Sequence, residues 1–137
     1  MAEVTVQGRS PLAPSAVRRV VRAVLAGERR RARVSVTFLG PERMRRLNLR
    51  YTGRDRPTDV LAFTLAQPAG APLGDVYVCP GIAAGEARAR GLPLRQELIR
   101  LVIHGTLHAL GRDHPEGPGR ERSAMWRRQE RYVEALA

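Results

Sequence analysis

The sequence predicts an α+β fold: a mixed four-stranded sheet with packed helices, in which a central helix bears metal-binding histidines. Three observations lead there. Short runs with apolar residues at every second position alternate with longer runs at helical spacing. Their order is β-α-β-α-β-β-α-α-α, so an opening β-α-β unit is followed by a hairpin. The most apolar helical run carries two of the three histidines in the chain. A chain of 137 residues fits one domain, 1–137, with a modest core. It contains no internal repeat or low-complexity block.

Each element has a local reason. Val4 and Val6 alternate with polar residues and predict a short first strand. From Ser15 to Ala26, Val17, Val20, Val21, Val24 and Leu25 recur at helical spacing, and Gly27 is the stop. The run Glu28 to Arg31 reads as a solvated turn. Val34, Val36 and Phe38 predict a strand with one buried face. Pro41 suits the first turn of a helix carrying Met44, Leu47 and Tyr51 inward. The polar stretch Thr52 to Asp59 is broken by Gly and Pro and reads as a loop. Val60 to Leu65 and Asp75 to Cys79 read as strands paired across a Pro/Gly-rich connection, Gln67 to Gly74. Pro80 to Arg90 predicts a helix ended by Gly91, and Leu94 to Leu110 a second. A last helix from about Gly119 carries Met125, Trp126, Val133 and Leu136.

The formal net charge is +11, and all 24 basic residues are arginine. Much of the preference for arginine over lysine fits a compositional bias that also enriches Ala, Gly and Pro. The excess positive charge favours an acidic partner, nucleic acid before membrane. No apolar run is long enough to span a bilayer. The N-terminus lacks the layout of a signal peptide. Cys79, the single cysteine, has no intrachain partner and reads as a buried strand residue. A cytoplasmic location is the expectation.

All three histidines lie in one window, His104-Gly-Thr-Leu-His108-Ala-Leu-Gly111-Arg-Asp-His114. Four helical residues turn roughly 400°, so His104 and His108 project about 40° apart on one face. Gly111 can take the left-handed position that ends a helix, and the reversed chain can return His114 to the first pair. A single helical histidine often packs in a core or sits at a helix C-terminus. Three so arranged point to a metal. Imidazole also suits nickel, copper and iron, but zinc leads on ligand set and geometry. One zinc per chain, with its fourth position open, would lower the pKa of its bound water to about 7. That zinc-bound water is the expected nucleophile, and no general base is assigned.

The histidine spacing coincides with that of metzincin proteases, which need a glutamate after the first histidine. Here that position is Gly105, so peptide hydrolysis becomes a minor reading.

The same histidine window resembles the HGxLHxxGYDH signature of the YbeY family of bacterial rRNA maturation factors. Leu47-Asn48-Leu49-Arg50-Tyr51, with Asp55-Arg-Pro-Thr-Asp-Val-Leu-Ala-Phe63, resembles that family's LNxxYR…DxPTDVLSF block. Leu73-Gly-Asp-Val76 resembles its LGD[IV] strand start, and Met125 also agrees. The three blocks stand in order, and the resemblance runs from about Val34 to Met125. The resemblance implies a single metal-dependent endoribonuclease domain acting on single-stranded RNA. It implies zinc on His104, His108 and His114 and a basic cleft over the metal. It also implies work on the 3′ end of 16S rRNA and in ribosome quality control, with rRNA and the small ribosomal subunit as partners.

Two positions depart from the family pattern. Thr52 stands where an arginine commonly follows the tyrosine; Arg50, Arg54 and Arg56 are the nearby arginines able to bring positive charge to a phosphate. Arg112 replaces the signature tyrosine and is a candidate phosphate contact. Asp113 is a candidate for orienting a ligand histidine, with a turn or capping role as its alternative. Asp59 and Asp75 open strands and read as structural before catalytic. Two other classes remain open: a ribosome-assembly or RNA-binding factor whose zinc holds the last helices together, and a metal hydrolase of peptide or small substrates. The sequence leaves the oligomeric state undetermined.

Overall fold

A computed structural model describes residues 3–65, 70, 72–113 and 119–137. The elements are β1 (Val4–Gln7), α1 (Pro14–Gly27), β2 (Arg33–Phe38), α2 (Pro41–Thr52), β3 (Val60–Leu65), β4 (Leu73–Val78), α3 (Pro80–Arg90), α4 (Leu94–Ala109), and α5 (Ala124–Leu136). A short 3-10 turn, Arg120–Arg122, precedes α5. The last helix therefore starts later than about Gly119. Ser123 caps it, its hydroxyl oxygen accepting the Trp126 N–H at 3.2 Å.

The sheet is mixed, in the order β1-β2-β4-β3. β1 and β4 run parallel to β2, pairing Val4 with Val34 and Val36 with Val76. β3 closes an antiparallel hairpin with β4, pairing Ala62 with Val76. The hairpin's second strand thus inserts beside β2, leaving β3 at the edge and next to the loop of residues 53–59.

Strand alternation assigns the two faces. Val34, Val36, Phe38, Val76 and Val78 turn one face into the main core, where α1 supplies Val17, Val20, Val21, Val24 and Leu25. α4 fills the centre of that core with Leu98, Ile99, Val102, Ile103 and Leu107, all fully buried. Each such side chain contributes roughly 1.5–3 kcal/mol of burial free energy. α4 packs on α1, α3, α5, β3 and β4, which makes it the central helix. Leu39, Met44 and Cys79 form a second, smaller cluster with Leu47, Leu61, Tyr77 and Ile82 on the opposite face.

Three local expectations change. Cys79 is buried, but at the strand-to-helix junction, where it is the N-cap of α3. Tyr51, expected to point inward, is 56% exposed. Its ring leans on Phe63, 5.0 Å between centroids. The turn after α1 is not simply solvated: the Glu28 side chain is only 2% exposed. Among the described residues, no helix is long and apolar enough to cross a membrane.

Candidate active site

The end of α4 sets the geometry. The His104 and His108 rings stand one turn apart, 4.6 Å between centroids and inclined at 67°. Both are half-buried, while Ile103, Gly105, Thr106 and Leu107 between and beside them are buried. Gly111 takes a φ of 93°. Its N–H donates to His108 O at 2.9 Å, and the Arg112 N–H donates to Leu107 O at 3.0 Å. This paired closure stops the helix where the sequence expects it. His114 belongs to 114–118, outside the described residues.

His104 and His108 open onto a cleft of about 680 Å³. α2 contributes Asn48 and Thr52 to its walls, the following loop Arg54, Arg56 and Asp59, and β3 Val60 and Ala62. Asp113 and Arg120 complete it. The loop is fixed from below. Buried Asn48 donates its side-chain N–H to Arg56 O at 2.8 Å. The Thr52 hydroxyl turns back on Asn48, 2.8 Å from its backbone oxygen and 2.6 Å from Oδ1.

Of the predicted arginines, Arg54 and Arg56 line the cleft and Arg50 and Arg112 do not. The Arg50 guanidinium lies over the Tyr51 ring, 5.5 Å from its centroid. Arg112 donates its Nε–H to Glu28 Oε1 at 2.8 Å. Glu28 also accepts from Arg128 at 3.1 Å and from the Tyr132 hydroxyl at 2.7 Å. Arg30 adds a bond to Leu110 O at 3.0 Å. The turn after α1 therefore holds the C-terminal end of the histidine helix to α5.

The carboxylates differ. Burial pushes the Asp59 carboxyl above its ordinary range, with the Val60 N–H partly offsetting it. Asp75 lies off the cleft and accepts the Tyr77 hydroxyl at 2.7 Å. Asp113 faces the cleft beside the histidines.

Two residues that sequence reasoning passed over belong to the site. Arg120 lines the cleft, its guanidinium 5.0 Å from the Trp126 ring centroid. Gln129, 1% exposed on α5, brings Oε1 to 2.6 Å from His104 Nδ1. A glutamine spaced for the core face of the last helix was the one available signal.

The donor chemistry fits a zinc ion. Two half-buried imidazoles share one cleft, and one of them has Nδ1 engaged by Gln129, so Nε2 is the atom with which it would hold a metal. Among the described residues, no group of three or more His, Cys, Asp and Glu is placed to hold a metal, and the third predicted ligand lies outside them.

The family model described as Endoribonuclease YbeY matches residues 6–137. A protein named Endoribonuclease YbeY from Chromohalobacter salexigens is 42% identical over 87 residues, covering 61% of this chain and 56% of that protein. One of the same name from Thermotoga maritima is 38% identical over 103 residues, covering 75% and 67%. A third, from Rubrobacter xylanophilus, is 38% identical over 107 residues, covering 78% and 70%. The match thus spans little more than half the length of the Chromohalobacter relative. A Thermotoga maritima protein solved in solution has a similar fold, with a TM-score of 0.69 and 30% identity, covering 97% of this chain and 88% of that one.

Proposed function

The chain belongs to the YbeY family, and from that premise we propose that it is a zinc-dependent endoribonuclease acting on single-stranded rRNA. The proposed roles are maturation of the 16S rRNA 3′ end and ribosome quality control. The proposed partners are rRNA and the small ribosomal subunit, in the cytoplasm.

The observation that carries this reading is the shared cleft: His104 and His108 lie in it together with Arg54, Arg56 and Arg120. His104, His108 and His114 are the proposed ligands. A bound zinc would supply Lewis acidity and an acidified water. The arginines would take up backbone phosphates and oppose the negative charge that develops at phosphorus. Asn48 would keep Arg56 in reach by holding its backbone, and Trp126 would brace Arg120. Asp113 is the proposed partner for a ligand histidine. Beside the cleft, exposed Tyr51 and the Arg50 above it are groups on which unpaired bases can stack.

The test is cleavage of a single-stranded RNA carrying the 16S rRNA 3′ end. Zinc-loaded, chelated and folded His108→Ala proteins are compared. Cleavage by the loaded protein alone, restored when zinc is returned, is the expected result. A second reading is favoured by one observation. Thr52, at the family's usual arginine position, is bonded to Asn48 and offers the cleft no charge. An RNA-binding assembly factor would show salt-sensitive RNA affinity without cleavage.

A further inference from the structure

Behind His104 runs a chain of hydrogen bonds that leaves α4, crosses to α5 and returns. Arg100, one turn before His104 and 8% exposed, grips Glu130 with two bonds of 2.9 Å, Nε to Oε2 and Nη2 to Oε1. Gln129 donates its side-chain N–H to Glu130 Oε2 at 3.0 Å. Its Oε1 then lies 2.6 Å from His104 Nδ1.

The direction of every bond follows from what each group can do. A guanidinium only donates. The Glu130 carboxyl, taking two of those donors, stays a carboxylate and only accepts. Burial opposes its charge, but the Arg100 and Gln129 hydrogen bonds and the charge of Arg100 hold it below the usual carboxylate range. Gln129 must therefore turn its NH₂ toward Glu130 and its carbonyl toward His104. A carbonyl oxygen only accepts, so the proton of neutral His104 belongs on Nδ1. The lone pair is left on Nε2.

We propose that Gln129, oriented by the Glu130–Arg100 pair, is a positioning residue that holds His104 as its Nδ1–H tautomer and presents Nε2 as a metal ligand atom. Plain packing between α4 and α5 would not require this arrangement. A buried amide is costly unless both of its ends are satisfied, and an aliphatic side chain of the same volume would fill the space. Here the donor end meets a carboxylate fixed by Arg100, and the acceptor end meets a side chain that lines the cleft.

The inference rests on the metal reading of the cleft, so the experiment separates the two. The metal-free protein is labelled with ¹⁵N in its histidines, and the His104 tautomer is read by NMR above the imidazole pKa. Zinc affinity is measured separately by competition with a chelator. The expected result is an Nδ1–H tautomer in the wild type, lost in Gln129→Met, with zinc bound 10–100-fold more weakly by that variant. Glu130→Gln, which removes the fixed acceptor but keeps the shape, is expected to blur the tautomer and weaken zinc to a lesser extent. It serves in place of Gln129→Met should that variant not fold. An Nε2–H tautomer in the wild type, or unchanged zinc affinity in the folded variant, overturns the proposal. A wild-type Nδ1–H tautomer with no zinc binding overturns the metal reading instead and leaves the tautomer control standing.

Discussion

Gly105 lies directly against Val76: a β-carbon built on it would come well inside 3.0 Å of Val76 Cγ1, with Val60 at contact distance beside it. The residue following His104 therefore faces the sheet while His104 itself faces the cleft. This explains in physical terms why the glutamate of the metzincin pattern has no counterpart. A carboxylate here would be driven into the fully buried Val76 at the sheet. Gly105→Ala is expected to destabilise the fold by about 1–3 kcal/mol, the usual cost of overpacking a core. Lifting α4 from the sheet would move both histidines, so zinc affinity should fall together with the melting temperature. Thermal denaturation and chelator competition on one preparation check both.

Glu28 links three elements through Arg112, Arg128 and Tyr132. Burial raises its carboxyl, but the Tyr132 and Arg112 hydrogen bonds and the two arginine charges outweigh that and hold it below the ordinary glutamate range. A depressed folded pKa gives stability that is present above the unfolded value and lost as pH falls through the folded one. Denaturant melts between neutral pH and pH ~3 should show that loss, and Glu28→Gln should show a shallower slope there. At neutral pH the variant should be less stable by roughly 1–3 kcal/mol, since Arg112 and Arg128 lose a charged partner.

Much of this architecture is legible from local pattern. The strand alternation, the helical valines of α1 and the glycine stop at Gly111 depend on neighbours in sequence. The histidine pair is equally local. What escapes is whatever depends on a partner far along the chain. Glu28 sits in a run of charges that reads as a solvated turn, yet its partners lie 84 to 104 residues away. Arg112 reads as a phosphate contact, and its bond to Glu28, far back in the chain, leaves no local trace. Gln129 stands 25 residues from His104, and only the crossing of α5 over α4 brings them together. Tyr51 follows the helical stripe of α2, but its ring stays exposed and leans on Phe63, a partner twelve residues on.

Asp59 should behave in the opposite sense to Glu28. Burial raises its folded pKa above the ordinary aspartate range. Its contribution is therefore most favourable below the unfolded value and is lost as pH rises through the folded one. At neutral pH the carboxylate costs stability. Asp59→Asn keeps an oxygen able to accept the Val60 N–H and the Thr58 hydroxyl, now 3.4 Å away. The metal-free variant should gain about 0.5–2 kcal/mol at neutral pH, the size typical of relieving one unfavourable site. The two proteins should converge at low pH. If the carboxylate also serves in the proposed RNA chemistry, the more stable variant will cleave more slowly.

Thr52 offers a gain-of-function test. Its hydroxyl is spent on Asn48, and its side chain lines the cleft without charge. Arg54 and Arg56 follow on a loop that Asn48 holds through Arg56 O. Thr52→Arg would place a guanidinium at the last residue of α2, beside two others, at a wall that is already exposed to solvent. The loss of the hydroxyl's bonds to Asn48, and of the Arg54 N–H that it accepts at 3.4 Å, should cost about 1–2 kcal/mol. One further phosphate contact should steepen the salt dependence of RNA binding, adding about 0.7 to the slope of log affinity against log salt for a single strand. Cleavage should rise by about an order of magnitude or more if the added charge reaches the reacting phosphate. A steeper salt slope with unchanged cleavage would place the arginine along the RNA path but away from that phosphate. An unchanged slope would mean that this wall of the cleft does not carry RNA, and the weight of binding would shift to Arg120 on the opposite element.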